Sequence, residues 1–179
     1  MTPGSTLDVA IELVIPDNTA HTALVALRRL GYGDLMAVER AEHYRIRLSA
    51  QAPQVEAVIG QLARAEVLFN PNKHRLSYAV EPATVFSDRF EALVHDSEEL
   101  SDRLQRLLAV TFGMPYVVAL SCGVLWRLQD ADAPASAERL RWACATLLSN
   151  AVSQKSEVRP ALSRTGFREP QPAAANQPG

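Results

Sequence analysis

Cysteine is scarce in this chain: Cys122 and Cys144 are the only two among 179 residues. A disulfide framework is therefore excluded, and a reducing cytoplasm is the expected compartment. No apolar run reaches the roughly eighteen residues that a membrane-crossing helix needs, and the opening Met1-Thr2-Pro3-Gly4-Ser5 has neither the basic region nor the apolar stretch of a signal peptide. Charge of one sign is also lacking. With 18 basic and 20 acidic residues the net charge is −2, which gives no whole-protein attraction to nucleic acid or to an anionic membrane. The motifs of common chemistries are missing too: there is no glycine-rich phosphate loop ending in Lys-Ser/Thr, no dinucleotide fingerprint, no His-Glu-x-x-His, no Cys-x-x-Cys and no Gly-x-Ser-x-Gly. These absences leave a soluble globular protein, 47% apolar and 21% charged, without a legible catalytic centre or cofactor site.

What the chain does contain is a repeat. Leu30-Gly31-Tyr32-Gly33-Asp34-Leu35-Met36-Ala37-Val38 has the same shape as Val110-Thr111-Phe112-Gly113-Met114-Pro115-Tyr116-Val117-Val118, eighty positions later (110 minus 30). The flanks keep the offset, with Leu24 and Leu27 on Leu104 and Leu107, and Arg47-Leu48 on Arg127-Leu128. An offset held across so much chain reads as an internal duplication. Two copies do not make a stacked array, so each copy is expected to carry most of its own core.

Periodicity places the elements. Leu7, Val9, Ile11, Leu13 and Ile15 alternate with polar residues as a strand. Asp17 or Asn18 can cap the helix that follows, which carries Ala20, Ala23, Leu24, Leu27 and Leu30 on its apolar face. Gly31 and Gly33, and Gly113 in the second copy, are the structural turn glycines that let the chain leave its helix. Leu35–Arg40 and His43–Leu48 read as two strands of a hairpin. Pro53 opens a helix running to about Phe69, Asn70-Pro71-Asn72 stops it, and His74–Val80 is a further strand. The second copy repeats the series: a strand over Phe90–Val94, a helix with Asp96 and Glu99 in a capping box, a hairpin of Tyr116–Ser121 with Val124–Leu128, a helix from Ala135 to Asn150, and a strand over Lys155–Leu162 that Pro160 restricts to an edge. The resulting order, βαββαβ twice, is that of ferredoxin-like domains. The fold expectation is thus α+β, with two ferredoxin-like units arranged as a pseudo-dimer. Residues 1–81 form the first unit, 82–88 a linker, 89–162 the second, diverged unit and 163–179 a disordered tail.

Few residues invite chemistry. Gly31 and Gly33 are a fragment of a phosphate loop, but turns need the same residue. A nucleophilic cysteine needs a histidine and an electropositive setting, whereas Cys122 and Cys144 have the positions of buried structural thiols. No spacing makes His21 or His43 a metal ligand, so the expected catalytic, metal and cofactor sets are empty. Arg40, Arg45, Arg47, Lys73, His74 and Arg75 could gather as an anion site or could line a solvated sheet face. RNA recognition would need glycine and aromatics in the strand His43-Tyr44-Arg45-Ile46-Arg47-Leu48, which lacks them.

The pieces Leu30-Gly31-Tyr32, Val38-Glu39-Arg40, Tyr44-Arg45-Ile46-Arg47-Leu48 and Val67-Leu68-Phe69-Asn70-Pro71 resemble, in order and spacing, the PurS family, the small subunit of phosphoribosylformylglycinamidine synthase. The resemblance covers residues 7 to 80, and residues 89 to 158 through the repeat; the chain departs from that family at Ala41-Glu42-His43, where Gly-Lys is usual. It implies a tandem PurS-like protein that is not an enzyme by itself. Its implied role is an accessory, adaptor subunit joining the glutaminase and synthetase subunits of the synthase in purine biosynthesis, with a homo-oligomer as a further assembly. Arg40, Glu42, His43, Asn70, Pro71 and Lys73 are then the candidate partner contacts. The alternative from the same layout is a ligand-sensing regulatory module, with a small metabolite held between paired ferredoxin-like domains.

Overall fold

The computed structural model describes residues 4–82, 85–150 and 152–167. Alternating residues from Thr6 to Leu13 form β1. Asp17 then caps α1 (Asn18–Arg29), its carboxylate accepting from the backbone amides of Thr19 and Ala20, while Arg28 and Arg29 face the negative end of the helix dipole. The chain continues through β2 (Leu35–Leu48), α2 (Val55–Leu62), β3 (His74–Glu81), β4 (Phe86–His95), α3 (Glu98–Val110), β5 (Val117–Asp130), α4 (Ala137–Ala143), a π-helical turn (Cys144–Leu148), β6 (Ser156–Leu162) and the two-residue β7 (Thr165–Gly166). It is an α+β protein with one seven-stranded antiparallel sheet in the order β6-β4-β5-β2-β1-β3-β7.

Each half therefore runs βαβαβ, which corrects the expected βαββαβ. The segment read as a hairpin, Leu35–Arg40 with His43–Leu48, is a single strand of 14 residues, and so is its counterpart β5. Arg40-Ala41-Glu42 contains no Gly, Asn or Pro to reverse the chain, and β2 instead pairs with β5 along nearly its whole length. Smaller corrections are also local. The cap of α3 is Ser97, which accepts from Leu100, so Asp96 and Glu99 form no capping box. The second helix ends at Leu62, and Ala65, Leu68 and Phe69 are buried in turns beyond it. Gly31 (φ 112°) and Gly113 (φ 65°) hold left-handed backbone, whereas Gly33 does not. Pro160 lies on the edge strand β6, where a missing amide donor is tolerated.

All the helices lie against one face of the sheet, over two cores that mix the halves. One combines Leu7, Val9, Ile46, Leu48, Val58 and Leu62 of the first half with Leu108 and Met114 of the second. The other combines Ala92, Val94, Trp126, Leu128, Leu140 and Ala143 of the second half with Ala23, Leu27 and Tyr32 of the first. The first core is nevertheless drawn mainly from the first half and the second mainly from the second, as expected, and each adds side chains from the other half. Helix α1 lies against β2 and α3 against β5, each on its own half's central strand, and because those two strands pair, Ala23 and Leu27 of α1 reach the second core and Leu108 of α3 the first.

The sheet also curls. Only Ser163 and Arg164 connect β6, on one edge, to β7, on the other. Three residue steps span at most about 11 Å, whereas the outer strands of a flat sheet of this width would stand roughly 29 Å apart. The helix-free face is therefore the inside of a nearly closed curve. Residues 163–167, expected in a disordered tail, form the strap that closes it: the Ser163 amide donates to the Val85 carbonyl at 2.8 Å and the Phe167 amide to the Leu76 carbonyl at 2.9 Å. The remaining tail residues, 168–179, lie outside the described residues, as do 83 and 84 of the expected linker, whose later part already belongs to β4.

Candidate functional site

The expected partner contacts do not form one surface. Side chains alternate along β2, so Arg40 and Glu42 lie on the helix side and His43 on the inner side. Arg40 is half-buried, its guanidinium 3.7 Å from Asp17 and 3.9 Å from Glu42. Glu42 accepts the Tyr44 hydroxyl at 3.0 Å. Asn70, Pro71 and Lys73 are exposed in the turn before β3, where the Asn72 amide donates to the Asn70 side chain. His43 is buried and takes no part in any outer surface, which corrects its reading as a partner contact. The basic residues do not gather as an anion site either. Arg45 pairs with Glu81 at 2.6 Å and Arg75 with Glu12 at 2.7 Å, while Arg40 faces the opposite side of the sheet.

Inside the curve the polar face condenses into a charged cage. Alternation on β1 and β4 sets Asp8 and Glu91 on this face, and the curl removes both carboxylates from solvent completely. Asp8 Oδ2 accepts from His43 Nε2 at 2.9 Å and from Arg159 Nη2 at 2.8 Å, and Asp8 Oδ1 from Arg164 Nε at 2.8 Å. Glu91 accepts from Arg159 Nε at 3.0 Å and, through both of its oxygens, from the two Nη atoms of Arg164 at 3.0 and 2.9 Å. Arg127 lies 3.5 Å from Glu91 and 3.2 Å from Glu12. Beside the cage a small apolar patch, Ala10, Ala41, Leu93 and Leu125, fills the middle of the face. Burial pushes the Asp8 carboxyl up, but the hydrogen bond and charge of His43, with Arg164 and Arg159, outweigh it and hold the group well below the usual carboxylate range. Glu91 behaves likewise: burial opposes ionisation, and the Arg164 hydrogen bond with the charges of Arg164, Arg159 and Arg127 prevails. Both carboxylates are ionised and fully engaged, so neither is free to act as a base.

Clefts also open elsewhere among the described residues. One of about 410 Å³ lies between the halves, lined by Gly31 and Tyr32 at the end of α1 and by Ser136, Glu138, Arg139 and Trp142 around α4. The Arg139 guanidinium stacks 4.8 Å from the Tyr32 ring centre and bonds Asp34 and Asp130, while Trp142 meets Tyr32 edge-on. Burial, followed by the neighbouring Asp130 carboxylate, pushes the Tyr32 phenol up. Another cleft, of about 480 Å³, holds His95, Asp96, Ser101, Cys122 and Lys155. Here the Cys122 sulfur lies 3.4 Å from Ser101 Oγ, and burial pushes the thiol up, so it is not activated as a nucleophile. Cys144 is also a buried thiol, as its position on an apolar helix face implies.

The cage escapes a reading by motif. Its acidic members sit in the middle of apolar strands and its last cation, Arg164, lies in a segment without periodicity. The available signal was one carboxylate flanked by apolar residues in the first strand of each half, Asp8 and Glu91. The molecule is thus an α+β protein with a curled antiparallel sheet, and no described helix is long and apolar enough to cross a membrane. Neither a protein-family model nor a curated protein matches the chain.

Proposed function

We propose that this chain is a non-catalytic assembly subunit in which two ferredoxin-related, PurS-like units are fused as a pseudo-dimer. The observation that carries this reading is the register at the centre of the sheet. His43 lies opposite Gly123, eighty residues on (123 minus 43), and pairing continues in step from Ala37↔Gln129 to Arg47↔Ala119. That is the register two copies of one strand would take across a two-fold axis, and fusing the copies makes their association intramolecular. Through the family resemblance, the partners are the synthetase and glutaminase subunits of phosphoribosylformylglycinamidine synthase, and the exposed turn Asn70–Lys73 and, at a separate place, Arg40 and Glu42 offer contacts. Glutaminase, ATPase and ligase turnover by the purified protein alone should be undetectable, because the described residues bring no nucleophile together with its base. The test is gel filtration with both subunits from the same organism, with ADP and glutamine present. Co-elution at micromolar concentration, weakened by charge reversal at Arg40 and Lys73, is expected; absence of any complex would overturn the adaptor reading.

A second reading, the metabolite-sensing module, is favoured by the cleft of Tyr32, Arg139 and Trp142, since it lies between the halves and combines aromatic faces with charged groups. It predicts that a purine or amino-acid metabolite raises the melting temperature of the wild type and leaves that of Trp142→Ala unchanged.

A further inference from the structure

The strap that closes the sheet carries an arginine, Arg164, built into the cage as a ligand would be. Its side chain is 3% exposed, and the three nitrogens of its guanidinium reach three carboxylate oxygens: Asp8 Oδ1 and both oxygens of Glu91. The paired contact with Glu91 is the fork geometry that distinguishes a guanidinium from a point charge. Everything else in the cage is anchored on the sheet: His43 on β2, Arg127 on β5 and Arg159 on β6 hold the carboxylates from their other sides. Apart from Arg164, the strap is held by a two-residue strand against Ser77 and Tyr78, by the flanking amides of Ser163 and Phe167, and by the half-buried Phe167 ring at the edge of the first core. Withdrawing it would leave an assembled recess with three acceptor oxygens and the shape of one guanidinium.

We propose that the inner face of the sheet carries a guanidinium-binding site, occupied in this state by Arg164 of the protein's own strap, so that the strap and an external guanidino group exclude one another. The external group has two sources, a free guanidino compound or the arginine of a strap from a second copy, and both present the same chemistry. The inference rests on the cage alone and stands apart from the assembly reading.

The test uses the full chain carrying Arg164→Ala. Ethylguanidinium replaces the atoms that the substitution removes, and ethylammonium at equal concentration supplies charge without the fork. Ethylguanidinium at millimolar concentration should raise the melting temperature of Arg164→Ala saturably, by several degrees, while ethylammonium does not. The wild type should gain nothing, because its tethered occupant holds the site at a high effective concentration. A synthetic hexapeptide of residues 162–167 forms the second arm. If it rescues the variant at lower concentration than ethylguanidinium, the source is a strap; if only ethylguanidinium rescues, the source is a free guanidino compound. Equal response to both small cations, or an equal gain by the wild type, would overturn the site. Should Arg164→Ala not fold, Arg164→Lys decides: its single ammonium cannot span three acceptors, so its melting temperature should fall several degrees below the wild type, and a lysine variant as stable as the wild type would sink the proposal.

Discussion

At the scale of single residues, the cage makes Asp8 the most consequential polar side chain in the first half. Its oxygens engage His43, Arg159 and Arg164 out of contact with water, and breaking a buried pair by removing one partner costs about 3–5 kcal/mol. Asp8→Asn should therefore lower stability by about that amount at neutral pH, as read from urea unfolding. The sign of the pH dependence follows from the depressed folded-state ionisation of Asp8 and Glu91. Their contribution is complete above the ordinary carboxylate range, near about 4, and is lost as pH falls below it, because the unfolded chain then takes up protons that the native cage refuses. The stability gap between the wild type and Asp8→Asn should accordingly narrow between pH 5 and 3. Gly123 is limited by sterics instead of charge. A Cβ there would lie 2.4 Å from the Val94 carbonyl oxygen, backbone that cannot swing away, so Gly123→Ala should cost about 1–3 kcal/mol in the same assay. Asp8 was visible in the sequence as a polar residue on an alternating strand, yet alternation assigns a residue to a face without saying whether that face meets water.

The elements divide between those governed by local chemistry and those governed by contacts. Helix α1 belongs to the first group: Asp17 caps it, and Asp17→Ala should destabilise the protein by about 1 kcal/mol, measured by thermal unfolding. What α1 packs on belongs to the second. Leu27 is wholly buried in a core with Trp126, Leu128 and Leu140 of the other half, so Leu27→Ala should cost about 3 kcal/mol and weaken hydrogen-exchange protection of β5 as well as of α1. The long strand was the hardest element to read. Apolar residues are sparse at Glu39, Arg40 and Glu42, which imitates a polar hairpin loop, but these residues are in fact paired with Arg127, Trp126 and Val124. The missing signal for a turn, a glycine or asparagine with the required backbone freedom, was the better guide than the dip in hydrophobicity.

For the whole molecule, the two halves cannot be separated cleanly. Each contributes helix side chains to the other's core, the Tyr116 hydroxyl donates to Gln61, and β2 and β5 cover one another's edges. A fragment of residues 1–82 should therefore be unfolded or dimeric, with a second copy standing in for β5 and α3; a stable folded monomer by analytical ultracentrifugation would contradict this. What the sequence determined by itself was local: the α+β composition, the positions of β1, α1, β3 and α3, the edge placement of β6, and the eighty-residue offset that reappears in the register of β2 against β5. Tertiary structure alone decided that the hairpins are single strands, that side chains of α1 and α3 reach into the other half's core, and that a polar face and a composition-poor strap close over Asp8 and Glu91. Periodicity records which side chains share a face, because it arises from backbone geometry within a few residues. Burial of a polar face depends on where the ends of a sheet meet, and that is set by contacts such as Arg164 with Asp8 between residues more than 150 positions apart.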